Sequence, residues 1–375
     1  MRIAILTQPL RYNFGGILQN YALQTVLKRM GHKVVTLQPD TSMRISWRRF
    51  LLVFPARVIR FLLGKSDVIR YEQNYNKINR TIATHTRKFV EANINIRKYR
   101  NIRTLSEKDY DMIVVGSDQV WRPCYNNSFF STIENSFLDF AKTWSVKRIA
   151  YAASFGTDSW EFSEDETTTC SELIKLFDAV SVRERSGIEL CKNKFGVDAV
   201  HLLDPTLLLK KEDYVNLIEN SRNTTKPTGE LMCYILDETY DKKMLIARIA
   251  HEKNLTPFKA NAQTDDVNAS LSDRIQLPVE QWLRNFQEAE FVVTDSFHAC
   301  VFSIIFNKPF VVVGNKKRGM SRFQSLLEMF ELKDHLLYSI DGYQSTRQYD
   351  IPDITYEKLS DMCEKSYKFL KTYIH

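Results

Sequence analysis

Short apolar runs alternate along the chain with helix-length amphipathic stretches, and that alternation predicts an α/β fold. Residues 2–7 (RIAILT) read as a first core strand, followed by a glycine-bearing loop, a helix over 17–30 and a strand over 33–38. A basic segment and a long polar helical stretch (about 67–92) then interrupt the pattern, so 43–92 reads as an insertion. The pattern resumes with strands at 111–115, 148–152, 179–183 and 199–203, and with helices over 163–176 and 186–195. Asp204-Pro205 punctuates the chain, and the polar run 220–229 (NSRNTTKPTG) predicts a hinge region. A second βα series follows, with strands at 230–236, 255–259, 291–294 and 310–313 and helices over 241–253, 279–288 and 299–306. Helices near 320–330 and 355–373 come last. We therefore expect two doubly wound units, 1–205 and 206–350, with 351–375 as a helix packing back on the first.

The most informative stretch is 290–314, EFVVTDSFHACVFSIIFNKPFVVVG. Two apolar runs flanking a helix-length segment predict a parallel βαβ unit, with Asp295, Ser296, Phe297 and His298 at the carboxyl end of its first strand. Ligands of open α/β sheets bind at such ends, against helix N-termini. A carboxylate, a hydroxyl and an imidazole at that turn are candidates for chemistry. The plainer reading is a helix cap at Asp295 or Ser296 and a buried, satisfied His298.

Composition narrows the class. At 375 residues the chain fits two domains, and 44% hydrophobic with 26% charged residues reads as soluble and globular. Six scattered cysteines, without CxxC or zinc spacing, fit reduced thiols in a cytoplasmic protein, and no secretory leader is expected ahead of the first strand. The net charge of +7 is mild, but Arg44, Arg48, Arg49, Arg57, Arg60 and Lys65 lie in one stretch with no acidic residue and with many apolar ones, Trp47 and Phe50 to Phe54 among them. Its apolar runs are far short of the roughly 20 residues that span a bilayer. The segment suits peripheral contact with an anionic membrane surface, or else packing on the first domain. Nothing recognisable points to nucleic-acid binding.

Six motifs in order resemble the polysaccharide pyruvyl transferases: Gly15 to Gln24 (GGILQNYALQ), Val115 to Trp121 (VGSDQVW), Ala150 to Gly156 (AYAASFG), Ser181 to Gly187 (SVRERSG), Asp204-Pro205-Thr206, and Thr294 to Ala299 (TDSFHA). The resemblance spans nearly the whole chain. It implies a GT-B-like fold, two Rossmann-like domains facing a central cleft, with the acceptor on the N-terminal side and the donor on the C-terminal side. It implies transfer of the enolpyruvyl group of phosphoenolpyruvate to a sugar, galactose for example, of a bacterial surface polysaccharide precursor. The product is a cyclic pyruvate ketal. The acceptor would be a lipid-linked oligosaccharide or other glycan at the cytoplasmic face of the membrane.

Such a reaction needs an acid, a base and an anion clamp. Candidates for acid and base are His298, Asp118 and Asp295. Arg183, placed by the family pattern at a strand end, is the first candidate for gripping the donor, with Arg185 the weaker one, and with Ser296 and His298 beside it. Many family members carry Arg-Leu before this histidine, where this chain has Ser296-Phe297. A replacement cation is sought in the basic loop after the next strand, at Lys317, Arg318 and Arg322. Gly15, Gly16, Gln19, Asn20 and Trp121 are the candidates for the acceptor, Trp121 as a stacking platform. The plainer readings are helix-start packing for the first four residues and an Asx turn for Asp118. No Walker lysine, dinucleotide fingerprint or carboxylate cluster for magnesium is present in the sequence, so a transfer without metal or resident cofactor is expected. The alternatives are a GT-B glycosyltransferase using a nucleotide sugar and a glycan-binding homologue without activity.

Overall fold

The computed structural model describes residues 1–65, 68–126, 130–314 and 319–374. Seven strands form an all-parallel first sheet: β1 (Arg2–Leu6), β2 (Lys33–Pro39), β3 (Ile96–Tyr99), β4 (Met112–Val115), β5 (Lys147–Ala153), β6 (Ala179–Val182) and β7 (Val200–His201). Their spatial order is β3-β2-β1-β4-β5-β6-β7. The second sheet is also parallel, with β8 (Leu231–Tyr234), β9 (Pro257–Lys259), β10 (Phe291–Thr294), β11 (Phe310–Val313) and β12 (Leu336–Leu337) in the order β12-β11-β10-β8-β9. The central strands β4, β8, β10 and β11 are buried throughout, as expected of strands covered on both faces. These are two doubly wound, Rossmann-like units facing a central cleft.

Each sheet reverses its winding once, between β1 and β4 in the first and between β8 and β10 in the second. Loops leaving the carboxyl ends of neighbouring strands diverge at such a point and leave a crevice. The two crevices meet. A continuous core joins the halves behind them: Phe14, in the first helix (Phe14–Arg29), stacks on Trp282, in the helix Val279–Glu288, at 5.1 Å. Trp282 packs in turn on Phe302 of the helix Phe297–Ile305 at 5.1 Å. The last helix, Asp353–Tyr373, touches both halves. Tyr356 donates to Ile304 O, while Tyr367 and Cys363 donate to Leu208 O and Leu207 O.

Several elements depart from the pattern-based expectation. The stretch 67–92 contains two helices, Tyr71–Ile82 and Thr84–Asn93, which meet at Ala83. Strand β3 (IRKY) escapes hydrophobic reading because it is an edge strand with exposed Arg97 and Lys98. The helix expected over 299–306 begins at Phe297, which puts His298 in its first turn rather than in the preceding loop. The first helix begins at Phe14 because the Asn13 side chain accepts from Gly16 N.

Candidate active site between the two sheets

A cavity of about 690 Å³ lies over both crevices. The loops after β1 and β4 contribute Gln8, Tyr12, Asn13, Asp118 and Gln119 to its wall, those after β8 and β10 contribute Leu236, Asp295 and Ser296, and the first turn of the helix Phe297–Ile305 contributes Phe297 and His298. Arg322, from the first turn of the helix Ser321–Met329, completes it. Tyr12 donates to Asp265 at 3.0 Å across the gap. A second cavity of about 280 Å³ lies under the inserted helices and shares Arg11 and Tyr12 with the first.

The wall is backed by a buried charge cluster. Arg183 follows β6, and its guanidinium is almost fully enclosed, donating to Asp204 at 2.8 Å and to Asp118 at 3.3 Å. Burial pulls Arg183 down, but Asp204, Asp118 and Glu184 outweigh it and hold it above its ordinary value. Burial likewise pushes the Asp204 carboxyl up. Its neighbours His298, Arg183 and Thr206 outweigh that, and the carboxyl stays well below the usual range. Thr206 donates twice to Asp204 Oδ1, from its amide at 3.0 Å and its hydroxyl at 2.6 Å. Asp204 Oδ2 lies 3.5 Å from His298 Nε2, close enough for charge interaction but not aligned as a hydrogen bond.

Phe297 carries cations on its ring, with the Arg183 guanidinium 4.5 Å and that of Arg322 5.7 Å from its centre. Burial and the charge of Arg183 lower Arg322 to about 10, while Asp118 and Glu184 oppose the shift. Arg322 is therefore a cation at neutral pH, and it faces the cavity. Where the family pattern implies a cation at position 296, this chain has a serine, and Arg322 supplies a positive charge to the same wall.

Gly15 makes this assembly possible. A Cβ there would fall 2.0 Å from His298 Nδ1, so the imidazole of one half lies directly on the backbone of the other. At Gly16 a Cβ would lie 3.4 Å from Asp118 Oδ2. Asp118 sits at φ 72°, a left-handed conformation that Asp tolerates better than most residues. Its Oδ1 accepts from Gln119 N at 2.9 Å and from Arg183, so the carboxylate is fixed with Oδ2 towards Gly16.

Other candidates stand elsewhere. Trp121 is fully buried, stacked on Phe137 at 4.9 Å with its indole N–H donating to Ser136 O, and so offers no face to a sugar. The apolar strand end draws it into the core beneath the sheet. Gln19 is buried, donating to Thr7 and Gly16 O and accepting from Ser117 N, which ties the first helix to the loops after β1 and β4. Asn20 is buried too, accepting from Thr36. Asp295 reaches the wall but is already engaged: it accepts from Leu236 N at 2.6 Å, Asp237 N at 3.1 Å and Lys242 Nζ at 2.7 Å. It anchors the loop after β8. Arg185 is exposed and outside the cavity wall. Arg183 stands behind the wall, neutralised by two carboxylates. Lys317 and Arg318 lie outside the described residues. Asp204, quoted in the sequence only as part of a motif, proves central to the cluster. Its signal was the Asp-Pro-Thr turn, whose amide and hydroxyl fix the carboxylate.

Two doubly wound units with cationic and titratable groups at their joint crevice form the layout of an enzyme that holds its ligand between two halves. The polysaccharide pyruvyl transferase family model matches residues 13–317, and the chain belongs to that family of transferases. No curated protein sequence matches it. Among solved structures it is similar to Arabidopsis thaliana UGT89C1 complexed with UDP-L-rhamnose, at 11% identity and a TM-score of 0.47 over 99% of this chain and 94% of that one. It is also similar to UDP-GlcNAc 2-epimerase from Neisseria meningitidis bound to UDP-GlcNAc, at 8% identity and a TM-score of 0.46 over 100% and 94%. A third is S. aureus MnaA with UDP, at 12% identity and a TM-score of 0.47 over 98% and 89%. Likenesses this distant carry no functional argument.

Proposed function

We propose that this protein transfers the enolpyruvyl unit of phosphoenolpyruvate to a sugar of a glycan precursor and closes it into a cyclic pyruvate ketal. The acceptor is a glycan still attached to its lipid carrier at the cytoplasmic face of the membrane. The observation that carries the reading is the joint presence of Arg322, His298 and Asp118 on one cavity wall, in a chain of this family. The donor lies on the C-terminal side, its negative groups towards Arg322 and the N-terminus of the helix Phe297–Ile305. The acceptor lies on the N-terminal side, near Tyr12 and Gln119.

Chemistry begins when His298 gives a proton to the methylene carbon of the enol phosphate, making the adjacent carbon oxocarbenium-like. Asp118 takes the proton of the attacking sugar hydroxyl, and a C–O bond forms. Phosphate then leaves with its bridging oxygen, and a neighbouring sugar hydroxyl closes the ring. Of the two hydroxyl protons lost, one is matched by the new methyl group and the other leaves on phosphate. Asp204 and Arg183 are positioning residues: Asp204 lies against the imidazole, and Arg183 fixes both carboxylates.

The test is phosphate release from phosphoenolpyruvate by purified protein with a panel of lipid-linked and β-galactoside acceptors, followed by mass spectrometry of the acceptor. Acceptor-dependent phosphate with a pyruvate-sized mass gain is expected. No thermal stabilisation by phosphoenolpyruvate, together with stabilisation by a nucleoside diphosphate, overturns the reading in favour of a nucleotide-sugar transferase.

A further inference from the structure

We infer that the inserted helix Trp47–Leu62 is a docking surface for an anionic lipid bilayer, lying in the headgroup layer parallel to the membrane plane. The inference stands on the surface of the insertion and not on the chemistry proposed above.

None of the helix's 16 residues is buried. Trp47, Leu52 and Leu62 are 69%, 80% and 76% exposed, and Leu51, Ile59, Phe61 and Leu63 are exposed with them. At about 100° per residue, Trp47, Leu51 and Leu62 fall within about 60° of one another, and Ile59 and Leu52 widen the same band. Few side chains of the helix are engaged: Phe50, Val53 and Val58 are half-buried, and Arg57 pairs with Glu72 at 2.8 Å. This many exposed apolar side chains on one helix surface mark a partner or a membrane.

Charge identifies the occupant. Arg48, Arg49, Arg60 and Lys65 form no salt bridge among the described residues, and no acidic residue stands between Met43 and Lys65. By the same rotation Arg48 falls within the apolar band and Arg49 and Arg60 lie beyond its edge, as in helices that seat aliphatic groups below anionic headgroups while long cationic side chains reach up to their level. The Trp47 indole, with the Arg48 guanidinium 5.6 Å from its ring, suits the same interface. No helix among the described residues is long and apolar enough to cross a membrane, so the mode is lying on the surface. The Arg57–Glu72 pair and a two-way hydrogen bond between Met43 and Asn76 join the docking helix to the helix Tyr71–Ile82. Tyr75 and Asn79 of that second helix line the smaller cavity, which shares Arg11 and Tyr12 with the main cleft. A bilayer at the helix Trp47–Leu62 thus lies on the side of the smaller cavity, which shares two wall residues with the cleft.

Co-sedimentation of the full chain with vesicles of phosphatidylcholine alone, and of phosphatidylcholine with phosphatidylglycerol, tests this. Wild type should sediment with the mixed vesicles and not with the neutral ones. Each interfacial cation is worth several-fold in partitioning, so Arg49→Gln/Arg60→Gln should lower binding to mixed vesicles roughly tenfold or more. Leu51→Asp/Leu62→Asp should abolish it. Both pairs are exposed and should keep the wild-type melting temperature and phosphoenolpyruvate-dependent phosphate release on a soluble acceptor, which separates this test from that of the chemistry. Wild type left in the supernatant of mixed vesicles overturns the inference, as does binding indifferent to both double variants. A dimer in solution that Leu51→Asp/Leu62→Asp converts to monomer, without vesicle binding by wild type, would assign the face to a second copy instead.

Discussion

Alanine at position 15 is the sharpest probe of the way the two halves meet. The added methyl would stand 2.0 Å from His298 Nδ1, 2.2 Å from Cγ and 2.6 Å from Cε1. Non-bonded heavy atoms settle near 3.5–4.0 Å, so the ring must retreat by about 1.5 Å or the halves must part by as much. Displacing a catalytic group by about 1 Å can cost on the order of 100-fold in rate. Overpacking costs about 1–3 kcal/mol, and replacing glycine by alanine in a helix returns up to about 1 kcal/mol, so the protein should stay folded. The assay is steady-state phosphate release from phosphoenolpyruvate with the acceptor found by mass spectrometry, beside a melting curve. We expect kcat to fall about 100-fold, with a melting temperature lower by a few degrees. A kcat close to wild type in a folded Gly15→Ala protein would refute the reasoning, since an imidazole that can be moved that far has no fixed part in the chemistry.

Three other expectations follow from the same geometry. Arg183→Ala strands Asp118 and Asp204 without their shared cation and should destabilise the fold by about 3–5 kcal/mol, read as a shift in the urea midpoint. Trp121→Ala should cost about 3–5 kcal/mol of stability through the vacated core, yet leave the acceptor KM of the remaining folded protein unchanged, whereas a sugar platform would raise it. His335 packs 4.5 Å from Phe310, and burial lowers it to about 4. Its stabilisation is complete above the unfolded value near 6.5 and is lost as pH falls towards 4, on the order of 3 kcal/mol at most; His335→Leu should flatten urea midpoints across that window.

Strands β10 and β11 were legible to the residue, because a fully buried parallel strand is an unbroken apolar run. Strand β3 was not, since at a sheet edge Arg97 and Lys98 face water and the run disappears. The site is harder to read, because polar residues next to a strand end either line a crevice or tie its loops together. Sequence does not separate Asp118, which faces the cavity, from Gln19, which holds the loops that shape it. Asp295 shows both at once: it lies on the wall while its oxygens are taken by Lys242 and two amides. Arg183 was correctly placed at a strand end. What hid its surroundings was Asp204, which follows β7, the next strand in the chain, and reaches it because β6 and β7 lie side by side in the sheet.

The last helix has a consequence for biosynthesis. Ser366 Oγ accepts from Leu203 N at 3.3 Å, Phe369 lies 6.3 Å from Tyr151, and Tyr367 donates to Leu208 O. Leu203 and Leu208 are made about 160 residues before the side chains that cover them and Tyr151 earlier still, roughly 10–40 s ahead at ordinary elongation rates. During that interval the nascent first half carries an uncovered apolar seam on the ribosome. Closing of the seam, and with it the final seating of the cleft, waits for the late arrival of Asp353–Tyr373.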